Sequence, residues 1–148
     1  MIIEIRTKEK YAKNEEEGFI GRMAHAGLKV TAARLSRLYR VEGAFSRAEF
    51  DRLGAELLTD RITETYSLTR PRPGVKGWRV EVWLKDSVTD VVGESVKGAI
   101  EDVLGKEPKI VRFGRAYYAA CGSEGALKRV VEKTLVNQIV NKFEIEKI

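Results

Sequence analysis

The strongest constraint on the fold of this 148-residue chain is an internal repeat. Similar residues recur 77 positions apart near both ends of the repeat, as the following pairs show: Ile3-Glu4-Ile5 with Val80-Glu81-Val82, Lys8 with Lys85, Ile62 with Ile139, and Tyr66 with Phe143. In the middle of the repeat the separation is 78, as in the pairs Gly27 with Gly105, Arg37 with Arg115, and Tyr39 with Tyr117. Self-similarity at a fixed period indicates two copies of one small unit.

Each copy carries the same order of predicted elements. Alternating apolar and charged residues predict a first strand at residues 2–7 and 79–84. A helix follows in each copy, with apolar residues at helical spacing, and ends near Gly27 or Gly105. A long second strand is predicted at residues 30–41 and 109–120, and its length suggests a bend or bulge near Ser36 and Gly114.

A second helix and a final strand complete each copy. Ser46 and Glu49 have the spacing of a capping box, in which each side chain binds an amide that the first helical turn leaves free. Ser123 is the predicted cap of the matching helix. Final strands are predicted at residues 61–68 and 138–146, where Glu64 and Asn141 are polar at matching places and a bulge would explain them.

The predicted fold is α+β, with two tandem β-α-β-α-β units. The first unit covers residues 1–70, a linker rich in proline and glycine covers residues 71–78, and the second unit covers residues 79–148. A unit of about 70 residues is marginally stable alone. We therefore expect the units to pack as an intramolecular pseudo-dimer, with their sheets side by side or face to face.

The charge and cysteine content restrict the class of protein. The formal charge is +5, but 14 basic and 11 acidic residues lie up to Gly74 and 13 and 11 lie beyond it, so the excess is spread out. An even spread is typical of a solvated surface, and we expect no nucleic-acid partner. The single Cys121 forms no internal disulfide, and neither a signal peptide nor an apolar run of about 20 residues is found. We expect a cytoplasmic protein with no membrane partner.

Three segments of the second copy carry a family resemblance. Residues 82–90 (VWLKDSVTD), 111–117 (VRFGRAY) and 135–143 (LVNQIVNKF) resemble, in order and spacing, the PurS subunit of phosphoribosylformylglycinamidine (FGAM) synthase. The first copy resembles it most at residues 57–66 (LLTDRITETY), as in the duplicated PurS-like region at the N-terminus of the long single-chain synthase. Val91 departs from the family, which often has proline there, and Leu35 and Ser36 interrupt its arginine-glycine pattern in the first copy.

The resemblance implies a non-catalytic role in de novo purine biosynthesis. PurS-like subunits join the synthetase subunit, PurL, to the glutaminase subunit, PurQ, so this chain would be an accessory subunit of a ligase. It would have no catalytic residues, cofactor or metal of its own, while the partner subunits use ATP, magnesium and glutamine. A homodimer of the pseudo-dimer stays open at this stage.

The residues with catalytic potential are few. His25 is the only histidine, and we interpret it as a surface or capping residue near a helix end. Cys121 has no histidine near it in sequence and is interpreted as a small, partly buried side chain. The acidic run of Glu15, Glu16 and Glu17 is interpreted as favourable charge in a first helical turn. Residues 73–78 contain glycines and a lysine but lead into a strand, so they do not form a phosphate loop.

The long strands supply the candidate partner interface. Arginine and tyrosine frequently anchor protein interfaces, and residues two apart on a strand share a face. The candidates are Arg34, Arg37, Tyr39, Arg112, Arg115 and Tyr117. The alternative is that the tyrosines fill the core while the arginines cover the sheet edge.

Two other classes of function stay open. A stand-alone ligand-sensing or regulatory domain predicts a pocket at the seam between the copies. An RNA-binding module predicts exposed aromatic residues on the sheet beside a basic stripe.

Overall fold

The computed structural model describes residues 1–148. Six strands are formed: β1 (Ile2–Thr7), β2 (Ala32–Glu42), β3 (Glu64–Ser67), β4 (Trp78–Leu84), β5 (Ile110–Ala120) and β6 (Asn141–Lys147). Four helices alternate with them: α1 (Lys13–His25), α2 (Arg47–Arg52), α3 (Val91–Leu104) and α4 (Glu124–Thr134). A 3-10 turn (Glu9–Tyr11) precedes α1, and a π-helical segment (Leu53–Leu58) continues α2. The order strand, helix, strand, helix, strand thus occurs twice, and the chain is α+β as predicted.

All six strands form one antiparallel sheet in the order β3-β1-β2-β5-β4-β6. The two halves of the chain meet at its centre, where β2 pairs with β5 over the full eleven residues of each strand. Arg37 is directly opposite Arg115 in this pairing, so two residues that match in the sequence repeat are cross-strand partners. The sheets of the two halves therefore lie side by side.

All four helices cover one face of the sheet and build two cores. One core contains Phe19 and Met23 of α1, Leu127 of α4, and strand residues that include Val80 and Tyr117. The second core contains Phe50 and Leu53 of the α2 region, Ile100 of α3, and strand residues that include Ile3 and Val111. Each core thus joins a helix of one half to the helix and strands of the other. Burial of apolar surface, the main stabilising term in folding, therefore couples the halves.

The linker crosses the opposite, helix-free face. A small cluster there consists of Leu38, Ala116 and Tyr118, and Val75 of the linker packs against it. No helix or strand forms between the end of β3 and Trp78, with which β4 begins. The connection from one edge region of the sheet to the other thus also shields part of its second face.

Several local predictions are confirmed. Ser46 and Glu49 form the capping box, with each side chain accepting the backbone amide of the other residue. The Ser123 hydroxyl accepts the Ala126 amide at the start of α4. Gly27 and Gly105 follow α1 and α3 with positive φ, a conformation that favours glycine.

Two local predictions are wrong. Of the bend or bulge predicted near Ser36 and Gly114, the bulge is absent, because the pairing of the long strands proceeds through both residues without a break. The final strands begin at Glu64 and Asn141, later than predicted, because a tight turn precedes each of them.

These two turns have the same construction. The Asp60 and Asn137 side chains accept the amides of Ile62 and Ile139, a local bond that competes with strand pairing. A second hydrogen bond closes each turn: the side-chain oxygens of Glu64 and Asn141 accept the backbone amides of Asp60 and Asn137 at 3.0 and 2.9 Å. Ile62 and Ile139 are therefore exposed at the turns instead of lying in the strand rows. The polar Glu64 and Asn141 are explained by these turns, without a bulge.

Candidate partner interface on the long strands

The six candidate interface residues are divided between the two faces of the sheet. Arg37 and Tyr39 on β2, and Arg115 and Tyr117 on β5, lie on the helix-covered face, because they alternate with residues of the helix-free cluster such as Leu38 and Tyr118. Arg34 and Arg112 alternate with those four residues along the strands, and they lie toward the ends of the long strands. The structure thus brings four of the six together at the centre of the helix-covered face.

All three guanidinium nitrogens of Arg37 donate hydrogen bonds within the chain. Its Nη1 and Nη2 donate to the two carboxylate oxygens of Glu64, and Nη2 also donates to the Leu58 carbonyl at 3.1 Å. Its Nε donates to the Tyr39 hydroxyl at 3.3 Å. This two-point geometry is the strong form of an arginine-carboxylate pair.

The electrostatics of this cluster follow from those contacts. The hydrogen bond to Glu64 raises the pKa of Arg37. Burial acts to raise the pKa of Glu64, but the bonds from Arg37 and from the Asp60 amide outweigh burial and hold that pKa below its ordinary value. Burial raises the pKa of Glu15, on which the charges of Arg34 and Arg37 also act. Arg37 therefore has Glu64 as its direct acidic partner, and its charge also acts on Glu15.

Arg115 has a different environment. Its side chain is exposed, and its guanidinium lies 5.3 Å from the centre of the Phe113 ring, a cation-π contact. It forms no ion pair, although its direct cross-strand partner Arg37 does. Asn141 stands at the position that matches Glu64 in the repeat. Arg115 is thus the one arginine of the candidate set whose charge is not balanced within the chain.

Arg34 and Arg112 have structural roles at the sheet edge. Each long strand extends past its shorter neighbour, and a carboxylate covers the edge that is left. Glu16 accepts the Ala33 amide at 2.9 Å and pairs with Arg34 at 2.8 Å. In the second half Asp90 accepts the Phe113 amide at 2.7 Å. Arg112 lies 3.9 Å from Asp90 and donates to the carbonyls of residues 84, 85 and 88.

Both tyrosines of the set are buried. The Tyr117 ring stacks on Phe19 with a centroid separation of 5.5 Å, and burial raises the pKa of Tyr117. The Tyr39 ring is tilted against Phe113 at 5.3 Å. These rings are core residues in the structure, and Arg115 is the accessible member of the group.

A buried polar network on the helix-free face was missed by the sequence analysis. Arg79 Nη2 lies 2.9 Å from Glu4 Oε1, and both residues are only 3% exposed. Glu4 also accepts from the Ser36 hydroxyl at 3.0 Å and from the Tyr118 hydroxyl at 2.6 Å. The network joins the two halves of the chain. Its only sequence signal is charge within a strand, which is also the signal of a solvated strand face.

His25, Cys121 and the acidic run of α1 form no hydrogen bond with one another. His25 is exposed at the last position of α1. Cys121 is partly buried, and burial raises the pKa of its thiol, which disfavours a nucleophilic thiolate. Glu15 and Glu16 lie in the first turn of α1, as predicted, whereas Glu17 follows that turn. No group of three or more histidine, cysteine or acidic residues could hold a metal ion, and none of the helices has the length and apolar character needed to cross a membrane.

Comparison with known proteins identifies a family for the second half. Residues 78–148 match the family described as PurS, phosphoribosylformylglycinamidine (FGAM) synthase. The match begins at the first residue of β4 and extends past β6, so it covers one complete β-α-β-α-β unit. A search of curated proteins finds no match to the chain. The PurS family is therefore shown for the second β-α-β-α-β unit of the chain, residues 78–148.

Proposed function

We propose that this PurS-type chain is a non-catalytic subunit of FGAM synthase that joins the synthetase subunit, PurL, to the glutaminase subunit, PurQ. The observation that carries the proposal is the family match over the whole second unit. In this role the chain acts in the cytoplasm, and ATP, magnesium and glutamine are bound by its partners.

We also propose that the chain is a tandem duplication folded as an intramolecular pseudo-dimer. The repeated order of elements supports this, as does the direct pairing of the matching residues Arg37 and Arg115 at the centre of the sheet. The matched turns give further support, since Asp60–Glu64 and Asn137–Asn141 have the same hydrogen bonds 77 residues apart. A duplicated subunit of this kind supplies within one chain the pairing that two separate chains would otherwise provide.

The direct test combines the purified chain with the PurL and PurQ subunits of its own organism, in the presence of glutamine and magnesium-ADP. Light scattering measures the mass of the complex, and a separate assay follows glutamine-dependent formation of product. We expect a ternary complex whose glutamine-dependent activity requires this chain. Full activity of PurL and PurQ without the chain, together with no complex, would refute the proposal.

A ligand-sensing or regulatory domain is the second candidate, because it requires a pocket at the seam. A groove of about 310 Å³ does lie there on the helix-free face, between Ile2 and Arg40 of the first half and Trp83 and Arg112 of the second. Arg40 is paired with Glu42 at 2.9 Å, and Arg112 donates to backbone carbonyls, so both arginines already have partners within the chain. This candidate would gain support if the chain formed no complex and instead bound a small metabolite.

The RNA-binding alternative requires exposed aromatic residues on the sheet. On the helix-free face Tyr118 is buried in the small cluster against which Val75 of the linker packs, and the Trp83 indole donates to Glu81 at 2.7 Å. No observation favours this class of function over the other two.

A further inference from the structure

The two halves differ at the site of their matching arginines. In the first half Arg37 binds both carboxylate oxygens of Glu64. In the second half the residue 77 positions after Glu64 is Asn141, and it lines the same groove as Arg115. The replacement removes the carboxylate but keeps the bond to the turn, because Asn141 Oδ1 still accepts the Asn137 amide.

The helix above the site has changed in the same direction. The first turn of α1 contains two acidic residues, Glu15 and Glu16. The first turn of α3 begins with Val91 and Val92 and has one acidic residue, Glu94. In the first half, the charge of Arg37 acts on Glu15 and lowers its pKa, against the larger effect of burial. Val92 lines the groove of Arg115. The helix and strand residues Val92 and Asn141, which line the groove of Arg115, are thus uncharged.

The resulting groove is apolar around one unpaired cation. It has a volume of about 390 Å³ and is lined mainly by hydrophobic side chains. Its only acidic residue, Asp90, is 3% exposed and already accepts the amides of Gly93 and Phe113. Val91 and Val92 are 75% and 43% exposed at the rim. An exposed arginine beside exposed aliphatic side chains suits a carboxylate that is flanked by apolar groups.

We propose that the Arg115 groove binds a glutamate or aspartate side chain of a partner subunit, presented on a segment with apolar neighbours. The carboxylate takes the place that Glu64 occupies beside Arg37, and the apolar neighbours cover Val91 and Val92. A protein segment fits better than a small anion because the exposed apolar rim extends beyond the guanidinium itself. This inference rests on the proposed function, since it assigns a surface to the contact with PurL or PurQ.

The sharpest test introduces a carboxylate into the groove by substitution of one of its own residues. In Asn141→Glu the new carboxylate stands at the position of Glu64 and can make the same two contacts, with the arginine and with the turn amide. We expect this variant to be at least as stable as the wild type in thermal unfolding, yet to bind the partner at least ~10-fold more weakly. Loss of binding in a variant that is not destabilised excludes misfolding as the cause.

A second variant removes the cation. Arg115→Ala is expected to weaken partner binding by a similar factor, ~10-fold or more. Arg129→Ala is the matched control, because Arg129 is exposed on α4 and also lacks an ion pair. Binding by the control should equal that of the wild type. If Asn141→Glu and Arg115→Ala both bind the partner like the wild type, the inference is wrong while the proposed function stands.

A probe peptide tests the groove without the partner. The peptides acetyl-Leu-Glu-Leu-amide and acetyl-Leu-Gln-Leu-amide are titrated into the full chain, and the NMR signal of the Arg115 Nε-H is followed. The glutamate peptide should shift this signal in the wild type but not in Asn141→Glu, and the glutamine peptide should have a much smaller effect. Equal shifts from both peptides, or none from either, would overturn the inference. If the wild type binds neither PurL nor PurQ but shows the glutamate-specific shift, only the proposed function fails.

Discussion

The ion pair between Arg79 and Glu4 should be a major source of stability that depends on contact between the two halves. In Arg79→Met the Glu4 carboxylate would stay buried with only the hydroxyls of Ser36 and Tyr118 as partners. Removal of one member of a buried ion pair typically costs about 3–5 kcal/mol, because the remaining charge is left uncompensated. A domain of this kind has a total stability of about 5–15 kcal/mol. The variant should therefore unfold at a much lower urea concentration.

The loss should depend on pH in a defined direction. Without Arg79, burial in the folded variant favours the neutral acid of Glu4 over the charged carboxylate. When the pKa of a carboxyl group is higher in the folded state than in the unfolded state, the protein loses stability as the pH rises through that pKa, because the folded state must then carry the buried charge. The deficit of Arg79→Met relative to the wild type should thus be smaller at pH 5 than at pH 8.

Equilibrium urea unfolding, followed by tryptophan fluorescence and circular dichroism, measures both effects. Arg70→Met is the matched control, because Arg70 pairs with Glu146 across 2.6 Å but both side chains are at least half exposed. Such a surface pair is worth about 0–1 kcal/mol. The double variant Glu4→Met/Arg79→Met should recover part of the loss, since no buried charge remains.

The reasoning would be refuted if Arg79→Met cost no more than the Arg70→Met control. That result would mean that water reaches Glu4 in the folded protein, or that Glu81, 3.2 Å from Arg79, dominates the pairing. A deficit that grows as the pH falls would contradict the assigned role of Glu4 in the same way.

Three further outcomes are expected. Gly93→Ala should destabilise the protein by about 1–3 kcal/mol in urea unfolding, because the added methyl group would lie 2.5 Å from the Val111 carbonyl oxygen. Gly98→Ala in the same helix has open space around it and should stabilise the protein by about 0.5–1 kcal/mol. Equal effects of the two substitutions would contradict the packing argument. The wild type should have a larger free energy of unfolding than Glu64→Gln at pH values above the unfolded pKa of Glu64, and this difference should disappear as the pH falls through the lowered pKa of the folded state. Urea midpoints that differ as much at pH 2 as at pH 7 would disprove the pairing. Residues 78–148 expressed alone should self-associate in size-exclusion chromatography with light scattering, because the edge of β5 that pairs with the first half is left open, and a well-folded monomer would be the contrary result.

Local features of the fold were predictable because they depend on near neighbours in sequence. Ser46 and Glu49 of the capping box are three positions apart, and the glycines after α1 and α3 lie within two residues of the helix ends. The turns before β3 and β6 were missed for a related reason. The isoleucine at each turn indicates a strand by propensity, while the Asp60 or Asn137 side chain that bonds its amide favours a turn.

The candidate site was predictable only in part. The repeat identified Arg37 and Arg115 as a matching pair, and strand alternation placed each beside a tyrosine on one face. Nothing in the local sequence distinguishes the arginine that is neutralised from the one that is free. That difference depends on Glu64 and Asn141, which reach the site from strands far along the chain.

The sequence by itself determined the two-fold repetition, the order of strands and helices within each unit, and the resemblance of the second unit to the PurS family. Tertiary structure decided which strand edges meet, which helix of each half packs with the other half, and which charged side chains are buried as partners. The physical reason is the range of the interactions. Periodicity and capping act over a few residues, whereas the β2–β5 pairing and the Glu4–Arg79 pair join positions 68 to 88 residues apart. Only the folded chain brings those groups together and thereby leaves Arg115 as the unpaired cation of the central face.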